Sequence, residues 1–313
     1  MVYSVKLRVL IRFTNIRVLC IIFLGDKMKL NLETLKGKTV AVTGSTGGLG
    51  RELCRYLAEL GASIIFCDRN KERSMRLAEE LASQFSVKTE HITLDLEDIA
   101  SVKSATNELK GRNIDVFIHN AGAYSIPRKI CETGLDNVFQ INFASPYYII
   151  KELLPYLREK EGRVVVVGSI AHNYSKADPN DIDFHTRTAA SKVYGNAKRY
   201  LMLSLYELFE KEEKVSLSVT HPGITFTNIT AHYPKLVFAL IKHPMKIIFM
   251  KPQKAALSIL KGVFGNTEYG EWIGPRFFNI WGKPSQKKLH TFTKSEAEEI
   301  FKTAEEIYKD LAR

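Results

Sequence analysis

Residues 39–50 read TVAVTGSTGGLG, and the fold follows from them. Thr39–Thr43 is a short apolar, β-branched run, the composition of a strand buried on both faces. The glycines come at once. Gly44 permits a sharp turn, Gly48 lets backbone approach a pyrophosphate, and Gly50 lets a helix pack closely on the strand. From Gly48 to Leu60 the residues Leu49, Leu53, Leu57 and Leu60 recur at helical spacing on one face. A strand running through such a turn into a helix gathers free N–H groups and the positive helix end at one point, which suits a phosphate. A glycine-rich turn alone can equally be a tight structural loop. Its place as the first strand–helix connection of an alternating chain favours a dinucleotide.

The alternation continues. Ser63–Cys67 (SIIFC), His91–Leu94, Ile114–Ile118, Arg163–Val167 (RVVVV) and Val215–Thr220 read as strands. Lys71–Gln84, Ile99–Leu109, roughly Gly134–Lys160 and Ala190–Glu212 read as helices. Strands separated by helices predict an α/β chain with a parallel, doubly wound sheet, the Rossmann fold. No repeat, low-complexity stretch or long linker interrupts it. One domain is expected over residues 28–290, with an apolar substrate lid after strand six at about 225–262 and a C-terminal helix over 291–313.

The turn is spaced TGxxxGxG rather than GxGxxG, and in this it resembles the short-chain dehydrogenase/reductase family. The family's other motifs follow in order: Asp95-Leu96, Asn120-Ala121-Gly122, Asn142, Ser169, Tyr194-Gly-Asn-Ala-Lys198 and Pro222-Gly223 with Thr227. The likeness covers about residues 36–275. Residues 168–198 look especially like the retinol-dehydrogenase-like branch, with GSIAH, DIDF and YGNAK, although Ser169 and Tyr194 stand 25 residues apart, more than in common members. The resemblance implies an NAD(P)-dependent alcohol dehydrogenase or carbonyl reductase with Asn142, Ser169, Tyr194 and Lys198 catalytic. It assigns Gly44, Ser45, Thr46, Gly48, Leu49 and Gly50 to the cofactor, together with Asp68, Arg69, Asp95, Leu96, Asn120, Ala121, Gly122, Tyr194, Lys198, Pro222, Gly223 and Thr227. Asp95 would meet the adenine, Thr227 the nicotinamide carboxamide, and Asn142 would hold a proton-relay water. Ala197 departs from the serine that often precedes the lysine, at no expected loss of chemistry.

These residue types suit hydride transfer. A carbonyl oxygen must receive a proton as hydride reaches its carbon. Tyr194 can supply one, but a free phenol titrates near 10. Lys198 lies one helical turn on, and its charge is expected to lower that value while it also bonds the nicotinamide ribose. Ser169 would orient the substrate oxygen. A lone Ser is usually a turn residue and a lone Y-x-x-x-K usually an exposed helix face; behind a nucleotide fingerprint the combination is specific. The rival class is a nucleotide-binding scaffold without turnover, and double-bond reduction is a third reading. His172 and His185 are given no role, being read as partly exposed loop residues.

The cofactor signals conflict at Cys67-Asp68-Arg69. Asp68 would accept from a ribose 2′-OH and repel a 2′-phosphate, whereas Arg69 would pair with that phosphate. The balance leans to NAD(H) over NADP(H).

Composition closes off other classes. The chain has 313 residues, 45% hydrophobic and 25% charged, which excludes disordered, collagen-like and disulfide-scaffold proteins. Cys20, Cys54, Cys67 and Cys131 have no pairing or metal spacing, so free thiols, no metal and a reducing cytoplasmic setting are expected. The net charge of +11 is uneven: +4 in residues 1–27, +9 in 231–294 and −2 in the rest. No nucleic-acid module accompanies it. The run from Val9 to Gly25 is broken by Arg12 and Arg17, too short for a spanning helix or a good signal peptide. Met28 is read as the true start, residues 1–27 being a non-native extension; a peripheral amphipathic anchor is the alternative. Leu236, Val237, Phe238, Leu240, Ile241 and Met245 with interleaved Lys235, Lys242 and Lys246 suit an apolar lid, with possible contact to an anionic membrane surface, or simply helices packed on the core. Trp272, Phe277, Phe278 and Trp281 read as a packed cluster, and the final helix as solvated. The partner expected is a small carbonyl or alcohol substrate. A homodimer or homotetramer through the two helices of Asn142 and Tyr194 is open.

Overall fold

The computed structural model describes residues 34–224 and 250–313. Residues 1–27, Thr227 and the first part of the expected lid therefore lie outside the described residues. The chain runs β1 (Thr39–Thr43), α1 (Gly48–Glu59), β2 (Ser63–Asp68), α2 (Lys71–Phe85), β3 (Thr89–Thr93), α3 (Ile99–Lys110) and β4 (Val116–His119). It continues through α4 (Asn137–Phe139), a π-helical turn (Gln140–Ala144), α5 (Ser145–Glu159), β5 (Arg163–Val167), a 3-10 turn (Ile170–Tyr174), α6 (Ala190–Phe209) and β6 (Ser216–Thr220). Beyond residue 250 come α7 (Pro252–Phe264), β7 (Glu271–Phe277), β8 (Trp281–Lys288) and α8 (Lys294–Ala312).

The described strands form one sheet in the order β3-β2-β1-β4-β5-β6-β7-β8, parallel throughout except for β8, which pairs antiparallel with β7. The doubly wound Rossmann sheet expected from the alternation is present. Its central strands are buried on both faces because helices cover both. On one face Leu53, Leu57, Leu77, Leu257 and Leu260 pack over Val40, Val42 and Ile118. On the other, residues of α3, α5, α6 and α8 cover Ala41, Phe117, Val164 and Val166.

Three expectations change. Of the segment 225–262 read as lid, residues 252–262 lie in α7, whose Ala255, Ala256, Leu257, Ile259 and Leu260 are buried against the sheet and α1. The stretch Gly134–Lys160 is not one regular helix. It opens into a π turn just where Asn142 sits, because Pro146 has no N–H to bond the carbonyl four residues back. And α8 is not merely solvated: Ala297, Ile300, Ala304 and Leu311, on one face, pack on α6 and α5. That helix takes the face through which pairing of two copies was expected, so self-association by α5 and α6 would require α8 to leave.

Candidate active site

The glycine-rich turn is shaped by close backbone approach. Gly44 has a φ of +67°, and a Cβ there would lie 2.8 Å from the Cα of Ala121. A Cβ on Gly50 would fall 2.1 Å from the Gly44 carbonyl oxygen. Asn120 donates from Nδ2 to the carbonyls of Thr43 and Gly44, at 3.2 and 2.9 Å, and pins the turn to β4. The N-cap of α1 is Gly47, which offers no side chain to the free N–H groups, and no acidic residue neutralises the first turn. An uncapped, unneutralised helix start behind a cradle that no Cβ could enter fits a dinucleotide pyrophosphate.

Asp68 ends β2 almost fully buried. Its carboxylate accepts from Ser45 Oγ, from the Thr46 backbone N–H (3.3 Å) and hydroxyl (3.2 Å), and from Ser74 Oγ (3.3 Å). Arg69 beside it is 72% exposed, its guanidinium 3.9 Å from an Asp95 oxygen. Asp95 itself accepts from the Glu97 N–H at 3.0 Å, shaping the loop after β3.

Tyr194 and Lys198 lie on α6, and Ser169 just beyond β5, so the sheet's carboxyl edge brings them together. The Ser169 side chain lies near enough to the Tyr194 hydroxyl to draw its pKa down, and Tyr124 stands edge-on to its ring with centroids 5.3 Å apart. Lys198 is buried, and its ammonium donates to the Val167 carbonyl at 2.9 Å. Asn142 Nδ2 donates to the carbonyls of Ala123 and Val138, both at 2.8 Å, while Oδ1 accepts from the Ala123 N–H at 3.2 Å. A Cβ on Gly122 would lie 2.8 Å from Asn142 Oδ1 and 3.7 Å from Lys198 Nζ, so Gly122 keeps room between them.

The expected effect of Lys198 on Tyr194 does not appear. Burial pushes the phenol up to about 12, with the Ser169 side chain pulling the other way and Tyr124 adding slightly to the rise. The reason lies in Lys198. Burial lowers its own pKa to about 7, so its charge is weakly held, and Nζ sits 5.8 Å from the Tyr194 ring centroid, bonded elsewhere.

The long connection between Ser169 and Tyr194 is firmly held. Arg128 reaches from the β4 side to Asp136 (2.6 Å) and to the carbonyls of Phe184 (3.0 Å) and Arg187 (2.5 Å). Asp183 accepts from the Asp136 N–H at 2.7 Å, and Asn196 on α6 donates to the Ile182 carbonyl at 2.7 Å. Asp181, Asp183 and His185 converge, which the sequence reading missed. Donation from His185 Nδ1 to the Asp183 carboxylate raises the His185 pKa, and a protonated ring then pairs with both Asp183 and Asp181, at 2.8 and 3.3 Å.

His172 proves to be no loop residue. It is fully buried, with Nδ1 donating to the Ser169 carbonyl at 2.6 Å and Nε2 accepting from Thr291 Oγ1 at 2.8 Å. A carbonyl can only accept, which fixes this tautomer. Burial lowers its pKa to about 4. Next to Lys198, Arg199 is 2% exposed and donates to both Glu296 oxygens at 2.6 Å and to the His172 and Thr291 carbonyls. The chain's last segment thus braces Ser169 and clamps α6. Motif spacing cannot show this, since the partners come from 92 to 119 residues away.

The family model for short chain dehydrogenases matches residues 38–235. The chain belongs to the short chain dehydrogenase family. Membership brings the NAD(P)-binding Rossmann fold and oxidoreductase chemistry to the site just described. This dehydrogenase is similar to the SDR family member FEY of Arabidopsis thaliana, 30% identical over 247 residues, covering 74% of this chain and 65% of that one's length. It is also similar to retinol dehydrogenase 14 of Homo sapiens, 29% identical over 243 residues, 71% of this chain and 72% of the relative, in keeping with the GSIAH–DIDF–YGNAK resemblance. Among solved structures, an uncharacterised protein from Mycobacterium paratuberculosis shares the fold with a TM-score of 0.70 at 23% identity, over 89% of this chain and 96% of the other.

Proposed function

We propose that this dehydrogenase interconverts an apolar alcohol and its ketone or aldehyde, with Tyr194 as general acid and base. The observation that carries the proposal is the convergence of Ser169, Tyr194 and the buried Lys198 at the sheet edge next to the nucleotide cradle. The cradle residues would hold the nicotinamide nucleotide, which supplies or accepts the hydride. Ser169, beside Tyr194, orients the substrate oxygen. A phenol near 12 stays protonated at neutral pH, as an acid delivering a proton to that oxygen requires. Lys198, near 7, can exchange a proton at working pH and so restores Tyr194 after each turn. With its amide committed to Ala123 and Val138, Asn142 would hold the relay water largely through its backbone, at the π turn.

Asp68 favours NAD(H). Its buried carboxylate supports the turn where the ribose would lie and would repel a 2′-phosphate, whereas Arg69 points into solvent. A cavity beside Thr46 lined by Arg51, Arg73 and Arg76 is the feature that would suit NADP(H), but Arg51 is paired with Glu80 and Arg76 with Glu72. The apolar substrate is supported by the composition of residues 236–250 and by the name of the retinol dehydrogenase relative.

The test is a panel of alcohols and carbonyls with NADH and NADPH, followed at the nicotinamide absorbance. Tyr194→Phe is expected to lower kcat by about 10²–10⁴-fold with the fold intact. Unimpaired turnover in that variant would remove Tyr194 from the mechanism.

A further inference from the structure

Aromatic residues at the end of the sheet are unevenly buried. Trp272, at the inner end of β7, is 1% exposed and stacks on His221 with ring centroids 4.7 Å apart. Phe277, Phe278 and Trp281, at the β7–β8 turn, are 57%, 82% and 40% exposed. The packed cluster expected from the sequence is therefore one buried tryptophan and an apolar tip. Phe278 and Asn279 both have positive φ (52° and 59°), a conformation a bulky residue seldom adopts, so the turn holds Phe278 outward at some cost. From Trp272 to Lys294 there is no acidic residue. Arg276 and Lys283 are exposed beside the rings, while Lys287 is spent inside the hairpin on the Pro275 carbonyl (2.8 Å) and Asn279 Oδ1 (2.9 Å).

The tip also stands at the carboxyl edge of the sheet, the edge that carries Ser169 and Tyr194. The His221 ring contacts the Asn279 carbonyl at 3.1 Å. A Cβ on Gly223 would lie 2.9 Å from the Ile280 carbonyl oxygen and 3.0 Å from Pro275 Cγ. The hairpin thus rests on the His221–Gly223 segment that leads into the lid.

We propose that this hairpin tip docks the protein on an anionic lipid surface, bringing the substrate entrance to the bilayer. Exposed rings flanked by Arg276 and Lys283, in a stretch without acidic residues from Trp272 to Lys294, match the boundary between acyl chains and anionic headgroups. Each cation near such a surface strengthens binding about five-fold at moderate salt. Docking rests on the apolar-substrate reading above and gives it a physical route: a water-insoluble alcohol enters from the lipid phase.

The chain contains two tryptophans, and only Trp281 is at the tip, so its fluorescence reports the contact directly. The full chain is mixed with phosphatidylcholine vesicles with and without phosphatidylserine. The expected result is a blue shift and quenching by brominated lipid with the anionic vesicles, and co-sedimentation weakened roughly ten-fold or more in Phe277→Ser/Phe278→Ser. Absence of quenching overturns the proposal, as does unchanged sedimentation of the double variant. Loss of a dimer in that variant by light scattering, with no vesicle binding by the parent, assigns the tip to self-association and equally overturns it. Turnover of a short, water-soluble alcohol is expected to be equal in parent and variant. If the parent shows none on any alcohol or carbonyl, the catalytic reading fails while the docking result stands on its own.

Discussion

Replacing His172 by glutamine tests whether the histidine acts as a neutral brace behind Ser169. Its imidazole is fully buried, bonded at 2.6 Å to the Ser169 carbonyl and at 2.8 Å to Thr291. Glutamine keeps a donor but loses the ring and one partner, which at pH 7.5 is expected to cost about 1–3 kcal/mol. The informative quantity is how that gap changes with pH. The folded-state pKa is about 4, against 6.5 for an unperturbed ring. Between these values the unfolded chain binds a proton that the folded one refuses. The parent protein therefore loses stability as pH falls through 6.5, and goes on losing it down to about 4. Evaluated at pH 5, one such group costs the fold about 2 kcal/mol relative to pH 7.5. Glutamine cannot titrate, so the gap between parent and variant should narrow by that amount. His221, also held near 4 chiefly by burial, is present in both proteins, and only its minor repulsion from His172 differs between them. Urea unfolding at the two pH values measures the gap. A gap equal at pH 7.5 and pH 5 would refute the buried, neutral imidazole.

Two other substitutions probe the cradle and the clamp. In Gly50→Ala the new methyl would meet the Gly44 carbonyl oxygen at 2.1 Å, backbone that cannot swing aside. Overpacking of about 1–3 kcal/mol should weaken NADH binding by up to about 100-fold, read by NADH fluorescence with circular dichroism to confirm the fold. In Glu296→Gln the buried Arg199 guanidinium loses its counter-charge, and a destabilisation of about 3 kcal/mol is expected in urea unfolding. A loss under about 0.5 kcal/mol would mean the pair behaves like a surface ion pair.

Most of the fold was legible in the sequence because its signals are local. A β-branched run, a glycine turn and leucines at helical spacing are read within the twenty-two residues from Thr39 to Leu60, and Tyr194 and Lys198 need only one helical turn. The β7–β8 hairpin was not legible. Its outer strand, WGKPSQKK, sits at the sheet edge facing water and carries no alternating apolar pattern, while Pro and Lys protect such an edge from pairing. The burial of His172 depends on Thr291, distant in sequence. The apolar stripe Ala297–Ile300–Ala304–Leu311 was present, but the surrounding charges obscured it. The Tyr194 shift went the opposite way because a lysine's influence depends on its own hydration, which no spacing reveals.

The clamp between Arg199 and Glu296 also sets a schedule for synthesis. Ninety-seven residues separate the two, so the catalytic helix leaves the ribosome long before its counter-charge does. Until then a guanidinium meant for a dry interior has the His172 carbonyl but no counter-charge, and water must satisfy its other N–H groups. Closing so long a loop is slow compared with forming the helix itself. A nascent chain can therefore complete its nucleotide cradle, within the first hundred residues of the fold, well before it owns a finished catalytic centre. Cofactor could bind early and serve as a template on which the remainder condenses, while reactive hydride chemistry waits for the last helix to arrive.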